Sequence, residues 1–286
     1  MMDAFEEERS HLFAVAYRML GSAAEADDVL QEAWIRWSDR GVDPDSPRAF
    51  LTTVVVRLCL DQLKSARARR ETYVGPWLPE PLVAREAKPE PPDARAELAE
   101  SLSLAFLVLL ERLSPLERAA FLLREVFDEP YDAVARTLET SETACRQLVA
   151  RARAHVDENR PRFAASEAKK RELLQAFLGA CAAGDADALG RVLAADVVAR
   201  SDGGGKVQAA LKPIVGRDRV MRFIFGIIKK FPVDGVPEIV RINGEPGVLV
   251  RTARGVYTVL TLSIVDDAIT DVWIVSNPDK LTRLDS

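Results

Sequence analysis

Six hydrogen-bonding side chains, Glu142, Thr143, Arg146, Gln147, Arg151 and Arg153, lie on a segment whose apolar residues Cys145, Val149, Ala152 and Val156 step by four, three and four. That step places the four apolar residues on one helical stripe and the six polar ones off it. Guanidinium and carboxamide groups are the side chains that read base edges through paired hydrogen bonds, and arginines also hold phosphates. Arg146 and Gln147 are the best candidates for base edges, Thr143 and Glu142 come next, and Arg151 and Arg153 suit phosphates. Upstream, YDAVART and the turn LETSE (138–142), with Ser141 placed to cap, complete a helix-turn-helix pattern whose second helix fits a major groove. A plain hairpin of two helices in a bundle has the same pattern and stays open at this point.

Charge is unevenly spread. The 286 residues carry a net charge of −5. Residues 1–40 hold nine acids against four arginines, whereas residues 57–70 (RLCLDQLKSARARR) hold five bases and one acid. An acidic total therefore does not exclude nucleic acid, because phosphates respond to the local field. Three cysteines (Cys59, Cys145 and Cys181), with no CxxC pair, and only two histidines (His11 and His155) argue against a disulfide framework, a zinc site and a histidine-rich metal centre. The longest apolar run, 104–110, is far short of the ~18 residues of a membrane span. The start MMDAFEEERS is acidic where a signal peptide is basic, so a cytoplasmic chain without a cofactor is the expectation.

The elements that position these groups follow from periodicity. Leu12, Val15, Ala16, Met19 and Leu20 recur at helical spacing, Gly21-Ser22 interrupts them, and Val29, Leu30, Ala33, Trp34 and Trp37 resume. GVDPDSP (41–47) is a loop, and 50–70 is helical in period despite Val54-Val55-Val56. Six prolines in 71–97 make that stretch a linker, yet Tyr73, Trp77 and Leu78 predict that YVGPWLPEPL docks on something. Helices return at Leu98, and Ser114-Pro115 reads as N-cap and first helical residue. After Pro161, helices at 167–183, 187–193 and 216–231 and a glycine cluster, DGGGK (202–206), precede alternating strands from Glu238 onward, separated by NGEPG, ARG and VDDA. A curled antiparallel sheet behind helices, an α+β domain, is predicted there.

Taken together, ADDVLQEAWIRW (26–37), PRAFLTTVVVRLCLDQLKSARARR (47–70) and the helix-turn-helix of 131–156 resemble a bacterial RNA polymerase sigma factor of the extracytoplasmic-function type. The linker YVGPWLPEPL (73–82), DGGGK (202–206) and NPDKL (277–281), in that order, narrow the resemblance to the factors with a fused SnoaL-like, NTF2-like domain, the SigJ-like or ECF41 group. The fold class so implied is multidomain: two all-α sigma domains, the region 2 bundle (1–70) and the region 4 helix-turn-helix (98–160), joined by the proline-rich linker (71–97) and followed by an α+β NTF2-like domain (165–286).

The resemblance implies a sigma factor rather than an enzyme, with core polymerase and promoter DNA as partners. Asp27, Asp28, Gln31, Glu32, Trp34 and Trp37 would meet the basic clamp surface of the polymerase core. Arg48, Arg57, Lys64 and Arg67 would hold a single-stranded −10 element, and the six residues of 142–153 would read a duplex −35 element. Many relatives carry Asn where this chain has Arg57 and arginine where it has Leu148, changes that alter which base edge or phosphate is reached. In place of a separate anti-sigma protein, the C-terminal domain would regulate the factor through Tyr73, Trp77, Leu78, Pro79, Asp202, Gly203, Gly204, Gly205, Lys206, Asn277, Pro278, Asp279 and Lys280. NTF2-like domains enclose a pocket, so a small-molecule ligand is a possible partner, with Asp196, Asp202, Tyr257, Asp271 and Trp273 as candidate lining. A ligand-responsive repressor and a cyclase- or isomerase-type enzyme with a DNA-binding appendage are the competing classes. A repressor needs neither of the helices 26–37 and 50–70, and the enzyme lacks a histidine in this domain.

Overall fold

The computed structural model describes residues 2–39, 44–84, 102–159, 165–231 and 234–284. The chain forms two compact units, Met1–Thr72 with Phe106–Arg160, and Tyr73–Ala105 with Pro161–Ser286. Among the described residues no helix is long and apolar enough to cross a membrane.

The first unit is helical. Gly21, at φ 69°, ends α1 (Met2–Leu20), and the Ser22 hydroxyl accepts from Glu25 N to start α2 (Ala23–Ser38). In α3 (Pro47–Glu71) the β-branched run is tolerated because Leu51, Val55, Val56, Cys59 and Leu63 are buried, and burial outweighs intrinsic propensity. Then come α4 (Leu104–Leu110) and α5 (Pro115–Phe121), the latter opened by a full capping box between Ser114 and Glu117. The expected helix start at Leu98 lies outside the described residues. A π-helical turn, Leu122–Val126, follows α5. The helix-turn-helix is α6 (Tyr131–Thr137) and α7 (Glu142–Asn159), with Ser141 Oγ accepting from Ala144 N. Cys145, Val149, Ala152 and Val156 are all buried, so the apolar stripe faces inward as its spacing requires.

The second unit is α+β, as predicted. Helices α8 (Glu167–Ala183), α9 (Ala186–Val192) and α10 (Arg217–Lys230) pack on a seven-stranded sheet. Its strands are β1 (Val83–Ala84), β2 (Leu193–Asp202), β3 (Ile214–Val215), β4 (Gly235–Ile242), β5 (Glu245–Thr252), β6 (Gly255–Val265) and β7 (Ala268–Val275), in the order β1-β4-β5-β6-β7-β2-β3. Strands β4 to β7 form the expected antiparallel meander. Its Asn243-Gly244 and Asp266-Asp267 turns each place two residues at positive φ, which suits the twist of a tight hairpin.

The sheet is mixed rather than purely antiparallel, because β2 pairs parallel to β7. Sequence alternation does not predict this strand: LAADVVARSD interrupts its period with a register shift between Leu193 and Val198. Leu173, Leu174 and Phe177 of α8 and Val220 and Ile224 of α10 close a core over Val197, Ala199, Val248, Leu262 and Val272.

Candidate functional site

Two sets of side chains stand out, one in each unit. In the helical unit Glu142, Thr143, Arg146, Gln147, Arg151 and Arg153 are all exposed on α7, opposite the buried stripe. Their cations are engaged internally. Arg146 pairs with Glu142 at 3.3 Å and lies over the Tyr131 ring at 4.2 Å; Arg151 donates to Glu117 at 2.8 Å; Arg153 grips both oxygens of Glu125. The Leu148 side chain is half-buried.

On α2, Asp28 and Gln31 are exposed, Asp27 and Glu32 are half-exposed, and Glu32 accepts from Arg36 at 3.0 Å. Trp34 packs edge-on against Phe5 at 5.1 Å. Trp37 is a correction: it is 2% exposed, its ring 5.9 Å from that of Phe50, so it belongs to the core and not to the presented face. Leu30, Ala33 and Trp37 stand at i, i+3 and i+7, the phase of the buried stripe.

The proposed −10 residues are differently placed. Arg48 is exposed and donates to His11 Nδ1, and Lys64 is exposed beside Asp61. The Arg67 side chain lies outside the described residues. Arg57 turns to α6: its guanidinium donates to the carbonyls of Thr137 and Arg136, both at 3.4 Å, and pairs with Glu139 at 3.0 Å. Thr53 Oγ1 meets Thr137 Oγ1 at 3.0 Å beside it. A neighbouring contact that sequence reasoning misses is Arg118, 3% exposed, whose Nη1 donates to Met19 O at 2.7 Å and to Glu111 at 2.6 Å. Burial lowers its pKa to about 10. Only the phase of α5 could signal it, since an arginine on an apolar stripe needs a partner.

The second set is a dense polar cluster in the α+β unit. Asp202, at the end of β2, is fully buried and its carboxylate accepts four hydrogen bonds. Tyr73 OH (2.6 Å) and Gly204 N (3.0 Å) reach Oδ1; Leu78 N (2.9 Å) and Lys280 Nζ (2.7 Å) reach Oδ2. Four donors saturate a carboxylate, so Asp202 is an anchor with no lone pair left for acid–base work, and not the cavity-lining group that the resemblance suggests. Lys280 Nζ also donates to the Leu78 carbonyl and lies 4.3 Å from the Trp77 ring centroid and 5.1 Å from that of Tyr73. Asn277 caps α11 (Pro278–Leu281) by accepting from Asp279 N, and its amide donates to Tyr73 OH at 2.8 Å. Burial, then the Asp202 carboxylate, push the Tyr73 phenol well above its usual range, so it stays a donor.

Glycines make the approach possible. A Cβ on Gly204, at φ 62°, would lie 2.4 Å from Asn277 Nδ2, and one on Gly203 would lie 2.6 Å from Val207 O. A Cβ on Gly205, at φ 72°, would lie 3.1 Å from Val74 Cβ. Lys206 pairs with Asp279 at 2.6 Å, both exposed, while Pro79 is buried and Pro278 fills the first position of α11. Thus YVGPWLPEPL, DGGGK and NPDKL meet. The linker then runs into β1, where Val83 and Ala84 pair with Ile242 and Arg241. Asn243, 2% exposed, extends this seam: its N donates to Leu82 O at 2.7 Å, its Oδ1 accepts from Leu82 N, and its Nδ2 donates to Leu102 O. In the sequence Asn243 signals only a turn.

The remaining candidates do not gather into one site. Asp271 pairs with Arg200, which stacks on Trp273 at 4.6 Å, while Asp196 and Tyr257 are exposed. Among the described residues no group of three His, Cys, Asp or Glu could hold a metal ion.

Comparison with known proteins follows the same division. Residues 4–69 match the family model for sigma-70 region 2, and residues 103–156 match that for sigma-70, region 4. The chain is 39% identical to the ECF RNA polymerase sigma factor SigJ of Mycobacterium tuberculosis over 288 residues, 97% of this chain and 92% of that protein. It is 35% identical to the probable ECF RNA polymerase sigma factor SigI of the same species over 285 residues, 98% of this chain and 94% of that one. The crystal structure of M. tuberculosis extracytoplasmic function sigma factor SigJ aligns with a TM-score of 0.77 at 35% identity, covering 99% of this chain and 98% of that chain.

Proposed function

Because this chain belongs to the extracytoplasmic-function RNA polymerase sigma factor family, we propose that it gives core polymerase a promoter address, helps part the strands, and is governed by its own C-terminal domain. The working division is region 2 over 1–70, the linker over 71–97, region 4 over 98–160 and the regulatory domain over 165–286. The exposed acids and Gln31 of α2, with Trp34, would dock on the polymerase. Arg146 and Gln147 would read the −35 duplex, each good bidentate contact discriminating by about 1–3 kcal/mol. Arg151 and Arg153 would exchange Glu117 and Glu125 for phosphates. Arg48, Arg57, Lys64 and Arg67 would hold the parted −10 strand, whose unstacking costs a few kcal/mol that protein contacts must offset.

Arg57 would first have to leave Thr137 and Glu139. Its ion pair is exposed on both sides, and such pairs contribute only about 0–1 kcal/mol, so the exchange is cheap.

The observation that carries regulation in cis is the saturated Asp202 carboxylate. It fastens Tyr73 and Leu78 of the linker to Lys280 and, through Tyr73, to Asn277 of the C-terminal domain. Keeping or releasing the segment 73–84 sets how much chain is free to join region 2 to region 4, and hence how they reach their two promoter elements. The test is run-off transcription with core polymerase. Promoter-dependent transcripts are expected, and ending the chain after Phe163 changes their amount. No transcript from any version of the chain rejects the reading.

A further inference from the structure

Helix α10 concentrates cations without internal counter-ions among the described residues. Surface arginines and lysines here are commonly paired with a carboxylate, as Arg36 is with Glu32, Arg136 with Asp132, Arg153 with Glu125 and Lys169 with Glu172. Lys212, Arg217, Arg219, Arg222, Lys229 and Lys230 form no ion pair among the described residues. Arg222 Nε donates only to the backbone carbonyl of Asp218. Between 217 and 230 there are five bases and one acid, Asp218, a local net of +4 in a chain whose total is −5.

The geometry gives this charge a direction. Val220 and Ile224 are buried in the core, so the helix is fixed by its apolar side and cannot turn that side to a lipid surface. Arg219, Arg222 and Lys229, at i, i+3 and i+10, are exposed along one outward stripe about 15 Å long at 1.5 Å per residue. Gly226 lies within that stripe, exposed, with nothing within 4 Å of where a Cβ would stand. Its presence costs helix stability that no internal contact explains, and leaves the floor of the stripe open to close approach. Hollows of about 430 and 400 Å³ flank the stripe, and both are bordered by Asp218 and Arg222. Asp196 of β2, Asp187 of α9 and its N-cap Asp185 are exposed acids on neighbouring elements, and among the described residues none is paired with these cations.

We infer that the outward face of α10 binds the phosphate backbone of duplex DNA without regard to sequence. A polyanion is the partner that charge complementarity selects: the arginines of α7 must each give up a glutamate to meet DNA, whereas among the described residues those of α10 have no acid to displace. Such a contact adds affinity and leaves sequence discrimination to the helical unit. It stands independently of the linker clasp.

The full chain is titrated against a short duplex of scrambled sequence, read by fluorescence anisotropy across a salt series. Arg219→Gln/Arg222→Gln/Lys229→Gln is expected to weaken binding about tenfold or more at low salt. It is also expected to lower the steepness of log K against log salt by up to about 2.7, near 0.9 for each phosphate no longer neutralised. Lys169→Gln/Arg254→Gln, cations of the same domain off α10, is expected to keep the wild-type slope. An unchanged affinity and slope in the triple variant overturns the inference. So does an equal loss in the control pair, or a loss of core-polymerase binding with DNA binding intact, which would make α10 a seat for an acidic protein surface. None of these outcomes touches promoter-dependent transcription, which tests the sigma-factor reading by itself.

Discussion

Lys280 Nζ lies 2.7 Å from Oδ2 of Asp202, a carboxylate with no exposed surface, and the ammonium also holds the carbonyl of Leu78. The pair is therefore a three-way junction of strand end, C-terminal turn and linker. A surface ion pair contributes little, but a buried one is costly to halve, because the remaining charge is stranded away from water.

Lys280→Met is accordingly expected to destabilise the C-terminal unit by about 3–5 kcal/mol. Asp202→Asn/Lys280→Met should recover part of that loss, since neither charge is then left alone. Urea unfolding of the full chain, followed by tryptophan fluorescence, measures both. Additive losses would show that the two side chains do not act as a pair.

The glycines give a contrast that depends on space alone. Gly204→Ala puts a Cβ at positive φ and 2.4 Å from Asn277, so a loss of about 2 kcal/mol or more is expected, with release of the Tyr73 contact. Gly226→Ala meets nothing and sits in a helix, so a gain of about 0.5–1 kcal/mol is expected. Thermal unfolding of the two variants beside the wild type checks the opposite signs.

Much of the fold is legible in the sequence because helical periodicity survives tertiary folding. The stripe of Cys145, Val149, Ala152 and Val156 fixes the outward face of α7, and Ser114 and Ser141 mark helix starts through local hydrogen bonds. The meeting of Tyr73, Asp202 and Asn277 is expected only through resemblance, because residues so far apart in sequence carry no periodic signal of contact. Trp37 is hard to place from sequence because tryptophan suits a core as well as an interface, and only phase with Leu30 and Ala33 decides. Strand β2 escapes a reading by alternation because its partner is parallel and its register shifts.

His11 should make the helical unit sensitive to acid. Its ring meets Thr52 at 3.2 Å, faces Arg48 and Arg18, and packs on Phe127, with Glu8 beyond Arg48. Burial, then the charges of Arg48 and Arg18, lower its pKa from 6.5 to about 4. Between these values the unfolded chain binds more protons than the folded one. This contribution to stability is therefore full above pH 6.5 and lost as pH falls through 4. Because the ring is partly exposed, solvent screening leaves only a fraction of the full linkage. His11→Gln is expected to flatten the pH dependence of the urea midpoint over that window relative to wild type.

Arg118 joins α5 to the end of α1 through Met19 O, with Glu111 as its counter-ion. Arg118→Leu is expected to cost about 3 kcal/mol or more by removing the buried cation that Glu111 and the Met19 carbonyl accept from, and Arg118→Leu/Glu111→Leu should cost less than the two changes summed. Urea unfolding of the helical unit in the full chain reads both values.

The most direct measurement is run-off transcription by core polymerase with three proteins: wild type, Tyr73→Phe/Asn277→Ala, and the chain ended after Phe163. If the linker clasp governs initiation, all three give transcripts from the same promoter, and the two altered proteins differ from wild type by several-fold in the same direction. Equal yields from all three, or transcripts from none, would contradict it.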